Sequence, residues 1–231
     1  MVAASPSLIG VGLYSIPEAA ELTGASARSI RRWLLGYRFQ AGGRFREMPA
    51  VWQRDIPDAD DELTLSFLDM MEIRFIRAFR KHGVSWPAIR EAAALACEMF
   101  NDNHPFTRLR FRTDGRRIFQ EIDQSADIKL FDMNRRSWVF KEIVDPSLYR
   151  GVEFSADQMA RWYPLYPNRA IVVDPARAFG RPTLAKEGIP TETLSAAVKV
   201  EGSPEAVARW YGISAASAKA AADFHERLLS A

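Results

Sequence analysis

Six arginines and no acidic residue lie between Ala27 and Arg46: Arg28, Arg31, Arg32, Arg38, Arg44 and Arg46. A guanidinium stays charged at physiological pH and presents a planar fork of N–H donors. That fork matches a phosphate, or the O6/N7 edge of guanine. The chemistry open to these residues is therefore capture of a polyanion. From Asp55 to Glu62 the balance reverses, with five acids and no base. Those acids could mimic phosphate or hold a cation; a block of like charge also reads as a solvated connector.

Other constellations that do chemistry are missing from the sequence. The three histidines, His82, His104 and His225, are far apart and lack metal-ligand spacing. His82 reads as a helix C-cap, His104 as a loop residue before Pro105, and His225 as an exposed helix position. The single cysteine, Cys97, excludes an internal disulfide and a cysteine zinc site, and fits a reducing compartment. It lies in the apolar stretch Ala92–Met99 and reads as a small buried hydrophobe. There is no nucleophile elbow, P-loop or dinucleotide fingerprint; Gly10 and Gly12 lack the following helix. A non-enzymatic protein without metal or cofactor is expected.

The chain of 231 residues is 48% hydrophobic and 26% charged, with a net charge of +2. That length suits two soluble globular domains, each able to bury a core without staples. Met1–Ile16 is apolar but has no basic leader and is broken by Pro6, Gly10 and Gly12. It reads as neither a signal peptide nor a membrane span, so a cytoplasmic location is expected.

The elements that must position the arginines can be read from caps and periodicity. Ser15 caps a short helix, Ile16–Leu22; Thr23-Gly24-Ala25-Ser26 is a tight turn; Ser26 caps a second helix through Leu35. Ile30 and Leu34 face inward there, leaving Arg28, Ser29, Arg31 and Arg32 to reach bases and phosphates. Tyr37–Trp52, with Gly42-Gly43 at its centre, reads as a hairpin or wing. Trp33, Tyr37 and Arg38 would follow the DNA backbone, and Arg44 and Arg46 would come from the wing. Leu65–Lys81 is an amphipathic helix opened by Ser66 and Asp69 as a capping box, and His82-Gly83 stops it. A helix from Ser85 to Phe100, with Pro87 in its first turn, completes a head spanning residues 9–100.

The texture changes at Asn101–Pro105. Strict alternation over Thr107–Arg112 predicts a strand with Leu109 and Phe111 on one face and Arg108, Arg110 and Arg112 on the other. Those arginines could touch nucleic acid or a partner's carboxylates, or form a solvated sheet face. Asp114-Gly115 reads as a hairpin turn before a return strand, Arg117–Ile122. Lys129–Asp132 and Ser137–Val144 add another pair, so residues 101–173 read as a small antiparallel sheet ending in the β-rich run Arg169–Val173. Residues 174–231 read as helical: Thr191 to Val200, Ser203 to Gly212, and Ser214 to Leu229. The expected class is α+β.

The last two helices outline a second helix-turn-helix. Its final helix carries only Lys219 and Arg227 as bases among many alanines. Phosphate neutralisation supplies most non-specific DNA affinity, so a protein-contact role through Trp210, Tyr211 and Lys219 is favoured over a second DNA reader.

The string Tyr14-Ser15-Ile16-Pro17-Glu18-Ala19-Ala20-Glu21-Leu22-Thr23-Gly24-Ala25-Ser26-Ala27-Arg28-Ser29-Ile30-Arg31-Arg32-Trp33 resembles the DNA-binding domain of MerR-type regulators. The joint Phe79-Arg80-Lys81-His82-Gly83-Val84-Ser85 resembles that family's second helical pair. The resemblance covers Gly12 to about Phe100 and implies a MerR-like winged helix-turn-helix. It lacks the family's long dimerising coiled-coil helix and its effector-binding cysteines. Further on, Val172-Val173-Asp174-Pro175, Phe179-Gly180-Arg181-Pro182, Gly188-Ile189-Pro190-Thr191 and Ser203-Pro204-Glu205-Ala206-Val207-Ala208-Arg209-Trp210-Tyr211 resemble a bacterial domain of unknown function, the DUF 433 family. That domain occurs in VapB-type antitoxins encoded beside PIN-like ribonuclease toxins.

The joint resemblance implies an antitoxin that neutralises a PIN-like ribonuclease toxin and represses its own operon. It would bind an inverted-repeat operator as a homodimer, with dimer contacts after Phe100. The alternative is a MerR-like ligand-responsive transcription regulator without a toxin partner, its effector pocket in the middle sheet. A neighbouring toxin gene would separate the two.

Overall fold

Serine side chains open most of the helices, as the sequence leads one to expect. A computed structural model of the chain describes residues 10–56, 63–112 and 148–229. Helix α1 (Ile16–Thr23) carries a capping box between Ser15 and Glu18, and α2 (Ala27–Leu35) begins where Ser26 accepts the Ser29 N–H. A second capping box, Ser66 with Asp69, opens α3 (Phe67–Lys81), and Ser85 opens α4 (Trp86–Phe100). Each such cap satisfies an N–H that the helix itself cannot. Gly24 ends α1 with a φ of 69°, left-handed backbone in which glycine has no Cβ to strain.

Contacts divide the chain into two units, Ser15–Arg150 with Phe154–Met159, and Met1–Tyr14 with Gly151–Glu153 and Ala160–Ala231. In the first unit, β1 (Tyr37–Ala41) and β2 (Arg44–Met48) form an antiparallel hairpin from Tyr37↔Met48 to Ala41↔Arg44. Gly42 and Gly43, both at positive φ, turn it. The core of this unit is aromatic. Phe106 lies 5.3 Å from Phe79 and 4.8 Å from Phe111, both edge to face, and Phe75 lies 5.1 Å from Tyr149. Such pairs contribute about 0.5–1.5 kcal/mol each beyond their buried area.

The strand expected at Thr107–Arg112 does not form. Pro105–Thr107 is a turn of 3-10 helix, Arg108 makes one isolated bridge to Gln158, and residues 109–112 are helical. The alternation misled because Leu109, expected on the inner face, is only half-buried, while Phe106, Thr107 and Phe111 are fully buried, and no single face of a strand presents both Phe106 and Phe111. The other strands expected between Arg117 and Val144 lie outside the described residues. The described strands after Arg112 are short: β3 (Val152–Ser155) pairs with β4 (Gln158–Trp162).

In the second unit, β5 (Ile171–Val172) pairs antiparallel with β6 (Thr183–Leu184). Three helices follow: α5 (Thr191–Glu201), α6 (Pro204–Tyr211) and α7 (Ala215–Leu229). Pro190, whose ring carries no hydrogen-bond acceptor, holds the cap position of α5, so this helix start has no side-chain cap. The core joins Ile171, Leu184, Leu194, Val207, Ala218, Ala221 and Phe224. The alanines of α7 thus form part of its own domain's core, where small side chains permit close helix approach. Tyr14 donates its hydroxyl to the Gly180 carbonyl at 2.7 Å, and a Cβ at Gly180 would stand 2.2 Å from that hydroxyl. The architecture is mixed α+β, and no helix among the described residues is long and apolar enough to cross a membrane.

Candidate nucleic-acid interface

Helix α2 is built to present charge. Ile30, Trp33 and Leu34 are buried on one side, while Arg28, Arg31 and Arg32 are exposed on the other and Ser29 is half-buried near the capped end. None of these arginines pairs with a carboxylate among the described residues. Arg32 lies over the Tyr37 ring at 3.9 Å, which ties α2 to the hairpin.

The remaining candidates divide. Trp33, expected along a DNA backbone, is only 8% exposed and packs 5.5 Å from Trp86, so it is a packing residue. In the hairpin, the strand period places Tyr37 and Phe39 on the face that carries Arg44 and Arg46. Arg38 is on the opposite face, paired with Glu47 at 2.5 Å. Glu47 lies one residue beyond the acid-free run, and antiparallel pairing alone brings it opposite Arg38. Arg44 and Arg46 are exposed. Among the described residues the hairpin therefore offers two of its three arginines, Arg44 and Arg46, without an ion pair.

Arg108 and Arg110 are engaged at home. Arg108 pairs with Asp102, and Arg110 pairs with Asp157 at 2.6 Å. The Arg112 guanidinium lies 5.7 Å from the Tyr149 ring centre. These residues staple loops of their own unit and do not form one cationic strand face, since the strand is absent. In the second unit, Trp210 is 79% exposed and Val200 83% exposed, and Tyr211 and Lys219 are also exposed. Trp210, Val200, Ala197 and Val207 line an apolar groove of about 470 Å³ between α5 and α6. Tryptophan so exposed is unusual for a free surface and is the residue type most enriched at interface hot spots.

The sequence reading missed a buried polar cluster under α3. His104, read as a loop residue, is 2% exposed. Its Nε2 lies 3.0 Å from Asp69 Oδ1, and its Nδ1 lies 3.5 Å from Asp55 Oδ1. Trp52 Nε1–H also donates to Asp69 Oδ1 at 2.7 Å, and the Ser66 N–H donates to its Oδ2 at 3.0 Å. Glu72, one turn further on, accepts the Phe106 and Thr107 N–H groups at 2.9 and 3.1 Å. Burial alone would raise the Asp69 pKa; the hydrogen bond and charge of His104, with the Ser66 and Trp52 donors, outweigh it and hold it below the usual carboxylate range. Burial pushes Glu72 up to about 8, against the charge of His104. Burial lowers the His104 pKa, but Asp69 and the other carboxylates reverse that and raise it.

Asp55, Asp69 and His104 place one ligand atom each within 4.8 Å of one another. Asp69 Oδ1 is already shared by two donors, so the cluster is a satisfied hydrogen-bond network that ties the loop after α4 to α3. The acidic block contributes to it through Asp55, whose Oδ2 accepts the Ser66 hydroxyl at 2.7 Å. The residues between 57 and 62 lie outside the described ones.

Comparison with known proteins adds three findings. The family model described as "Protein of unknown function (DUF433)" matches residues 171–224, the sheet and helices of the second unit. The chain is 26% identical over 220 residues to a Mycobacterium tuberculosis protein named "Putative antitoxin VapB45", across 88% of this chain and 90% of that one. The crystal structure of Rv2018 from Mycobacterium tuberculosis superposes with a TM-score of 0.69 at 19% identity, covering 92% of this chain and 98% of the other. The chain shares that protein's fold over nearly its whole length, and its sequence is related to a chain named as an antitoxin.

Proposed function

We propose that this chain is an antitoxin that binds operator DNA through its head and a toxin through its C-terminal helical region, residues 174–231. The observation that carries the DNA reading is the exposed face of α2, where Arg28, Arg31 and Arg32 have no carboxylate partner among the described residues. Helix, glycine turn, second helix and two-stranded hairpin follow in the order a winged helix-turn-helix requires. Arg28, Ser29, Arg31 and Arg32 would reach the major groove, with Tyr37, Arg44 and Arg46 on the backbone. A head this small covers few base pairs, so two copies on an inverted repeat would supply the rest of the affinity.

The antitoxin reading rests on the relative's name and on the exposed Trp210 groove. The toxin would be a PIN-like ribonuclease. Blocking it requires no catalysis by this chain, only an interface with desolvated anchors and complementary charge.

Both halves are tested with one pair of variants. Arg31→Ala with Arg32→Ala is expected to weaken operator binding roughly 10- to 100-fold in a gel shift, with a shallower salt dependence. The same protein should still rescue cells expressing the neighbouring gene's product. Trp210→Glu should do the reverse, losing rescue while keeping the shift. Equal DNA affinity for the arginine double variant and the wild type would refute the placement of the DNA site. Full rescue by Trp210→Glu would refute the groove as the neutralising surface.

A further inference from the structure

Beside α2, within the first unit, lies a cleft of about 530 Å³ whose α3 and α4 walls the DNA reading does not use. Its walls carry Arg32 from α2, Arg77, Arg80 and Lys81 from α3, and Arg90 from α4; among the described residues no Asp or Glu lines it. Bringing five cations to one concavity is costly unless an anion neutralises them. Among the described residues none of the five pairs with a carboxylate.

The guanidinium groups are held in place by contacts that leave their charge available. Arg77 donates Nη1–H to the Thr23 carbonyl at 2.8 Å, and Arg80 donates Nη1–H to the Val84 carbonyl at 2.8 Å. Arg90 donates Nη1–H to the Ala50 carbonyl at 3.3 Å, and Arg32 rests on Tyr37. Each of these guanidinium groups keeps further N–H donors for a ligand. Gly24 makes room for this: a Cβ there would stand 2.8 Å from the Arg77 guanidinium carbon.

A lone phosphate would fill little of the volume, which falls in the range of small-molecule sites. The wall also has flat apolar surface, from Tyr37 and from Trp86, whose ring lies 5.3 Å beneath the Arg80 guanidinium. Cations for phosphates and aromatic rings for a planar base are what a nucleotide requires. We propose that this cleft binds a free nucleoside mono- or diphosphate, the phosphates between Arg77, Arg80, Lys81 and Arg90 and the base against Trp86 and Tyr37. Arg32 and Tyr37 also belong to the proposed DNA face. A bound nucleotide therefore competes with the operator, and this last clause alone rests on the DNA reading.

The test is calorimetric titration of the full chain with ADP and, separately, with inorganic pyrophosphate. One saturable ADP site per chain is expected, with weaker pyrophosphate binding. Arg80→Ala with Lys81→Ala should weaken ADP at least roughly tenfold. Lys81→Glu, at an exposed position, provides a second variant that leaves packing alone, and unchanged thermal melting is the control for folding. Absence of saturable ADP binding by the wild type overturns the proposal. So does a double variant that binds ADP normally but loses affinity for duplex DNA, which would make the cleft a backbone contact. In a gel shift, ADP should displace the operator. Calorimetric binding of ADP without displacement would uphold the nucleotide site and refute the shared contacts; no operator shift at any ADP concentration would count against the DNA reading alone.

Discussion

Replacement of Asp69 by alanine is expected to cost roughly 3–5 kcal/mol of folding stability, the range for removing one partner from a buried ion pair. The carboxylate is fully buried and accepts from Trp52 Nε1–H, the Ser66 N–H and the His104 ring. Its loss strands all three and leaves the imidazolium without its nearest counter-charge. It also removes half of the capping box at the start of α3, itself worth about 1 kcal/mol. Asp69→Asn should cost less, since one oxygen can still accept from Trp52. Urea denaturation of wild type and both variants measures this directly. An alanine variant within about 1 kcal/mol of wild type would show that the network contributes little.

Stability should fall as pH rises from about 5 to about 8. Glu72, with its pKa raised to about 8 by burial, keeps its proton in the folded chain and releases it near pH 4.3 when unfolded. Its contribution is full below the unfolded value and is lost as pH rises toward the folded one. His104, also raised, acts in the same direction: its contribution is complete below about 6.5 and disappears as pH passes its higher folded value. Asp69, lowered, acts oppositely, stabilising above about 3.9 and failing only as pH falls through its folded value. The two raised groups govern the range from 5 to 8, where they should remove at least about 2 kcal/mol. Glu72→Gln keeps an acceptor for the Phe106 and Thr107 N–H groups and cannot ionise. It should flatten the profile and melt above the wild type at pH 8. Equal Tm for the wild type at pH 5 and pH 8, or an unchanged slope in Glu72→Gln, would contradict this assignment.

Most of the helices were legible because their signals are local. A serine at Ser15, Ser26, Ser66, Ser85 or Ser203 bonds an N–H three residues on, and a glycine such as Gly24 or Gly212 closes the helix it follows. The exposed arginines of α2 were legible for the same reason, since Ile30 and Leu34 define the inner face by period alone. The hairpin could be placed from Gly42-Gly43, but the Arg38–Glu47 pair depends on register across the turn.

Tertiary structure decided the rest. Thr107–Arg112 has the alternation of a strand, yet the aromatic core draws in Phe106 and Phe111 and folds the segment into helical turns. His104 has no local signal, because its partner Asp69 stands 35 residues away and is read from sequence only as a helix cap. The cleft beside α2 takes cations from three helices, and Trp33 is withdrawn from the surface by Trp86 on another. Sequence by itself determined the helix ends and the charged face of α2, since backbone hydrogen bonding within a few residues sets both. Which buried side chains hydrogen-bond to one another, and which cations converge, depended on distant segments meeting in a medium where an unpaired charge is costly.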